Sequence, residues 1–121
     1  MKIYKNKQFT RWQNKNKIPD SVIAKAIDEM DNGLIDADLG GNLFKKRVAK
    51  SGQGKRGSYR TIIAMKQTYG WVFLFGFSKN ESDNISDKEL IALKEYTNDY
   101  LFANFYELLK IKEIIEVIDN E

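Results

Sequence analysis

The stretch "SYRTIIAMKQTYGWVFLFGFS", Ser58 to Ser78, decides the fold. Two runs rich in β-branched and aromatic residues flank a short polar break around Gln67–Gly70. Such a pair reads as two strands folded back on each other. Side chains alternate along a strand, so Arg60 shares a face with Ile62 and Ala64. Trp71–Phe77 is almost wholly apolar, as a central strand covered on both faces requires. Its aromatics, Trp71, Phe73, Phe75 and Phe77, therefore read as core.

Working outward, "LFKKRVA" (Leu43–Ala49) reads as a third strand, entered through a turn at Gly40-Gly41-Asn42. "SGQGKRG" (Ser51–Gly57) reads as the loop that joins it to the next strand. Toward the N-terminus, "IPDSVIAKAIDEMDNG" is a helix with Val22, Ile23, Ala26, Ile27 and Met30 on one face. Asp20 or Ser21 caps its start and Gly33 closes it. Phe9 and Trp12, three apart, suit a shorter helix after a first strand at Lys2–Asn6. Toward the C-terminus, Ser86 and Glu89 form a capping box, and Leu90, Leu93, Thr97 and Tyr100 recur on one helical face. In the tail, Leu108, Ile111, Ile115 and Ile118 suit a helix, while "EIIEVID" suits a strand equally well. The expectation is one α+β domain over residues 1–121. Two N-terminal helices pack on a twisted, mainly antiparallel sheet, followed by a C-terminal helix.

Composition narrows the chemistry. The 121 residues are 42% apolar and 31% charged, with no cysteine and no histidine. Thiol chemistry, Cys/His zinc sites and histidine acid–base catalysis are excluded. No cofactor or metal is expected. The chain shows no signal peptide and no membrane span, which points to the cytoplasm and away from a membrane partner.

The net charge of +3 hides a strong asymmetry. Phe44–Arg60 holds seven cations and no carboxylate, while the rest of the chain has 13 cations against 17 carboxylates. In the strand, Lys45 and Arg47 share a face, about 7 Å apart. Phe44, Lys46 and Val48 share the other. Arg60 meets the Lys45/Arg47 pair across an antiparallel pairing, and Lys50, Lys55 and Arg56 add charge from the glycine-spaced loop. A charge run is often only the solvated face of a sheet. The missing acidic partners argue for a polyanion site instead, with guanidinium forks suited to phosphate. "GQGK" lacks the second half of a P-loop, so a nucleoside triphosphate is not the expected ligand. Tyr59, beside Arg60, is the best base-stacking candidate. Lys79, Asn80 and Glu81 leave the central strand together and form a second polar group, or an ordinary loop.

"DADLGGNLFKKR" (Asp36–Arg47), "GQGKRGSYRT" (Gly52–Thr61) and "FGFSKNE" (Phe75–Glu81) together resemble RelE/HigB-like toxins of type II toxin–antitoxin modules. The resemblance covers Phe9–Leu101 and leaves the tail, 102–121, outside it. It implies a small RelE-like domain that acts as an mRNA endoribonuclease on the ribosome. It also implies a cognate antitoxin, commonly a helix-turn-helix protein. Lys45, Arg47, Lys55, Arg60, Lys79 and Glu81 become the candidate catalytic residues. Lys46, Lys50, Arg56, Tyr59 and Asn80 become candidate RNA contacts. Within that scheme Lys45, Arg47 and Arg60 hold the phosphate and Lys55 or Lys79 handles protons. Glu81 positions one of these lysines or acts as base. Tyr96, Tyr100 and Tyr106 remain open. The alternatives are a ParE-like toxin acting on a protein target and a non-catalytic RNA-binding module.

Overall fold

The central strand is β5 (Gly70–Ser78), buried along nearly its whole length. Its neighbour β4 (Gly54–Lys66) runs antiparallel, with Arg60 opposite Phe77, Ile62 opposite Phe75 and Ala64 opposite Val72. The register shifts between Ile62 and Ile63, so Leu74 is an extra residue and the strand bulges there. Phe75 and Phe77 consequently join Val72 and Leu74 on one face. Gly76 turns to the other, where a Cβ would lie 2.3 Å from the Trp12 ring. The structure is a computed structural model. It describes residues 1–50, 54–78 and 85–118, with backbone alone over 54–57.

Four more strands complete the sheet. β3 (Leu43–Lys50) pairs antiparallel with β4, and β2 (Ala37–Gly40) with β3. On the far side β1 (Ile3–Asn6) runs parallel to β5, and β6 (Ile114–Glu116) closes antiparallel on β1. The spatial order is β2-β3-β4-β5-β1-β6. Helices α1 (Lys7–Lys15) and α2 (Asp20–Asp31) cover one face, with Phe9, Ile23 and Ile27 against Val48, Ile63 and Phe73. The other face carries α3 (Asp87–Glu95), a π-helical segment (Tyr96–Leu101) and α4 (Phe105–Lys110). Leu101, Phe105 and Leu108 pack there against Ile62, Val72 and Leu74. The expected α+β architecture is present, and its sheet is antiparallel except for the β1–β5 pair.

Local chemistry explains the agreements and the corrections. Ser86 and Glu89 form the capping box as expected. The expected cap at Asp20 or Ser21 is absent, because Pro19 holds that position and α2 starts at Asp20. The Asp20 carboxylate instead accepts from Lys5 Nζ at 3.0 Å and Gln13 Nε2 at 2.7 Å. Burial alone would raise its pKa, but these hydrogen bonds and the Lys5 charge hold it below the ordinary carboxylate value. Gly33 does close α2, at φ +88. β2 is a strand that the sequence reading misses. β4 starts at Gly54, so the last part of the expected 51–57 loop is strand.

The expected Leu90-Leu93-Thr97-Tyr100 face holds only as far as Thr97. The Phe102 N–H reaches back five residues to Thr97 O at 3.0 Å, and the wider π turn brings Leu101 inward in place of Tyr100. The tail is both helix and strand in succession. Lys112 at φ +61 ends α4, with Glu113 N–H on Leu108 O. Of the four tail residues expected on one helical face, Leu108 alone is buried.

Candidate functional site: a cationic open sheet face

Strand alternation sorts the cations of β3 into two sets. Lys45 and Arg47 lie on the face of Leu43, and Arg60 lies on the same face as Ile62 and Ala64. The register puts Arg47 directly opposite Arg60 and Lys45 opposite Ile62. The C-terminal helices seal one end of this face, where Asn98 Nδ2 donates to Gly41 O at 2.9 Å. At the other end the Arg47 side chain remains 45% exposed.

Two arginines facing each other across a ladder repel. Neighbouring groups hold them in place. Asp36, just before β2, accepts from Arg47 Nε at 3.1 Å and also takes the Arg47 backbone N–H. Ser58, two residues back on the same face, is buried, and its hydroxyl accepts from Arg60 Nη1 at 2.7 Å, with Ser58 O at 3.2 Å. Among the described residues Arg60 has no carboxylate partner. Its guanidinium is thus aimed by Ser58, an orientation that suits a phosphate oxygen. Asp36 and Ser58 were absent from the sequence-derived set. Asp36 opens the "DADLGG" motif, and Ser58 stands at the period-two spacing that carries a side chain to Arg60's face.

Two expected RNA contacts, Lys46 and Tyr59, are corrected, and Lys50 is placed beside the second. Lys46 points to the α2 side and is 1% exposed; its Nζ pairs with Glu29 Oε1 at 2.8 Å and donates to Leu34 O at 2.8 Å. Tyr59, adjacent to Arg60 in a strand, must face the other way. It is buried against Trp12, with ring centroids 5.1 Å apart. Lys50 Nζ sits over that Tyr59 ring, 5.5 Å from its centroid, at the rim of the helix-covered side. Lys55 and Arg56 belong to the first residues of β4, where only backbone is described. Lys79, Asn80 and Glu81 lie outside the described residues. Among the described residues, no group of three or more carboxylates gathers as a metal site, and no helix is long and apolar enough to cross a membrane.

A six-stranded, mostly antiparallel sheet with helices on both faces defines a small α+β domain, with Arg47 and Arg60 opposed on one face. The family model for the RelE toxin of the RelE/RelB toxin–antitoxin system matches residues 1–118, and the chain belongs to that family. It is therefore a toxin of a toxin–antitoxin module, and the family implies an antitoxin partner. No curated protein matches the chain.

Proposed function

We propose that this toxin is a cytoplasmic, HigB-like endoribonuclease that cuts mRNA held on the ribosome and so blocks translation. The observation that carries the reading is the Arg47–Arg60 pair on the open face of β3 and β4. An RNA phosphate between two opposed guanidiniums relieves their repulsion and receives donors from both.

The chemistry requires no cofactor. The ribose 2′-OH attacks the adjacent phosphorus as a base removes its proton. The P–O5′ bond breaks, an acid protonates the leaving 5′ oxygen, and a 2′,3′-cyclic phosphate remains. Arg60 and Arg47 stabilise the negative charge that builds on the phosphoryl oxygens, with Lys45 beside them. Lys55 or Lys79 moves the protons, and Glu81 positions one of them or serves as base. The ribosome supplies the attack-ready geometry of the RNA. A helix-turn-helix antitoxin holds the toxin inactive.

The test is induction of the toxin alone in bacteria, followed by primer-extension mapping of mRNA and repetition with purified ribosomes. Growth arrest with discrete cuts is expected. Growth arrest with intact mRNA would overturn the nuclease reading in favour of a protein target.

A further inference from the structure

The basic run of Phe44–Arg60 has a counterpart. Residues 1–19 hold six cations and no carboxylate. Some of that charge is consumed: Lys5 pairs with Asp20, Lys7 with Glu113 at 3.2 Å, and Lys2 reaches Glu116. Arg11 is exposed and has no carboxylate partner among the described residues. It lines a cleft of about 280 Å³ between the start of α1 and the π-helical segment, together with Asn6, Lys7, Gln8, Phe75, Tyr96 and Glu113, whose carboxylate is held by Lys7.

The cleft is built for more than charge. Asn6 uses its Oδ1 to accept the Phe9 N–H at 2.8 Å, which caps α1. Burial outweighs the lowering influence of the nearby Asn6 side chain, so the Tyr96 pKa is raised and the phenol stays protonated. Arg11 follows Lys7 by one helical turn and stands on the same side of α1. Half-buried Phe75 and Tyr96 supply aromatic wall, and Gln8 supplies an amide with both donor and acceptor. A pocket near the small end of the ligand-site range, roughly 300 Å³, suits one nucleotide rather than a large cofactor.

Its position fits the arginine pair. Phe75 lines the cleft and lies opposite Ile62; Phe77, two residues on and on the same face, lies opposite Arg60. That separation is about 7 Å along the strand and about 5 Å across one strand spacing, the scale of neighbouring nucleotides in an extended strand.

We propose that the cleft between the start of α1 and the π turn is a second RNA subsite, which seats a nucleotide adjacent to the one whose phosphate lies over Arg47 and Arg60. Arg11 takes its phosphate while Lys7 neutralises Glu113, Tyr96 and Phe75 face its base, and Gln8 contacts the base edge. This rests on the RNA reading of the open face. It assigns the cleft a role in choosing which sequence is bound, separate from the cleavage step.

The experiment titrates the full chain with a 2′-O-methyl hexanucleotide, which has no attacking hydroxyl, and follows backbone amide shifts and affinity. Shifts at Lys7–Arg11 and Tyr96 are expected along with those near Arg60. Arg11→Gln, on an exposed side chain, should weaken binding about tenfold, the scale of a lost charged hydrogen bond. Tyr96→Leu should weaken it about fivefold or more through lost stacking, with thermal melting as the folding control. Shifts confined to β3 and β4, or an Arg11→Gln affinity equal to wild type, would overturn the subsite. Cuts in unmodified RNA on ribosomes with no shift at the cleft would leave the nuclease standing and remove the subsite. Shifts at the cleft without such cuts would keep the subsite and remove the nuclease.

Discussion

Lys46 and Arg47 are consecutive cations that live in opposite worlds. Lys46 is sealed under α2 with a carboxylate and a carbonyl on its ammonium. Arg47 lies on the other face of the same strand, nearly half exposed and opposite a second arginine. In sequence they belong to one acid-free run; in the sheet they answer to different needs. The helix-covered face uses charge as a buried structural bond, whereas on the other face Arg47 is paired with Asp36 and still nearly half exposed. Cation density in the sequence therefore overstates the size of the binding surface.

Breaking the buried bond should have the largest effect. Lys46→Ala leaves Glu29 beneath α2 without this partner, a loss of about 3–5 kcal/mol for one member of a buried pair. Urea unfolding would measure it, and a loss below 1 kcal/mol would mean that Lys46 is effectively solvated. On the open face the effect should be chemical. Arg60→Lys keeps the charge but loses the fork, so cleavage should fall by about 10²-fold or more, the scale of one lost transition-state donor. RNA affinity and melting temperature should change little. Equal losses in binding and cutting would make Arg60 an anchor only.

Salt dependence sharpens the same contrast. Arg47→Gln should flatten the slope of log affinity against log salt by about 0.7 for a single strand, one phosphate contact. Lys50→Ala should leave the slope unchanged, because that ammonium rests on Tyr59 at the helix side. A flattened slope for Lys50→Ala would return it to the RNA surface.

Acid should weaken the α2 side through Asp20. The folded pKa of Asp20 lies below its ordinary 3.8, so its contribution is complete above that value and fades as the pH falls through the lower folded value. Stability measured from pH 5 downward should show this loss, and Asp20→Asn should remove that component. The smallest effect expected belongs to neither face. Lys17 ends α1 at φ +54, so Lys17→Gly should stabilise by about 1 kcal/mol or less without altering RNA binding.

Much of this was legible in period-two and period-3.6 patterning. Alternation alone places Lys45 and Arg47 apart from Lys46, and it equally forbids Tyr59 from sharing a face with Arg60, a consequence that the aromatic's appeal as a stacking platform obscured. Asp36 was harder to read, because its partner lies 11 residues away and only β2 brings the two together. β2 itself is only four residues long and ends in glycine, so its alternation of Ala37 and Leu39 with Asp38 and Gly40 is too short to announce it. The π turn leaves no local mark either; the demand that Thr97 and Leu101 both be buried is a tertiary one. The cations of α1 were visible in composition, but only the fold shows that Arg11 opens onto the same cleft as Phe75.

The pairing of β1 with β5 and β6 gives the molecule a schedule. β1 is synthesised first, yet its neighbours come from residues 71–73 and 114–116. At roughly 5–20 residues per second, the strand waits on the order of 5–20 s for its second neighbour. A nascent chain therefore carries one edge of β1 unpaired until residues 114–116 emerge, and the six-stranded sheet closes only then.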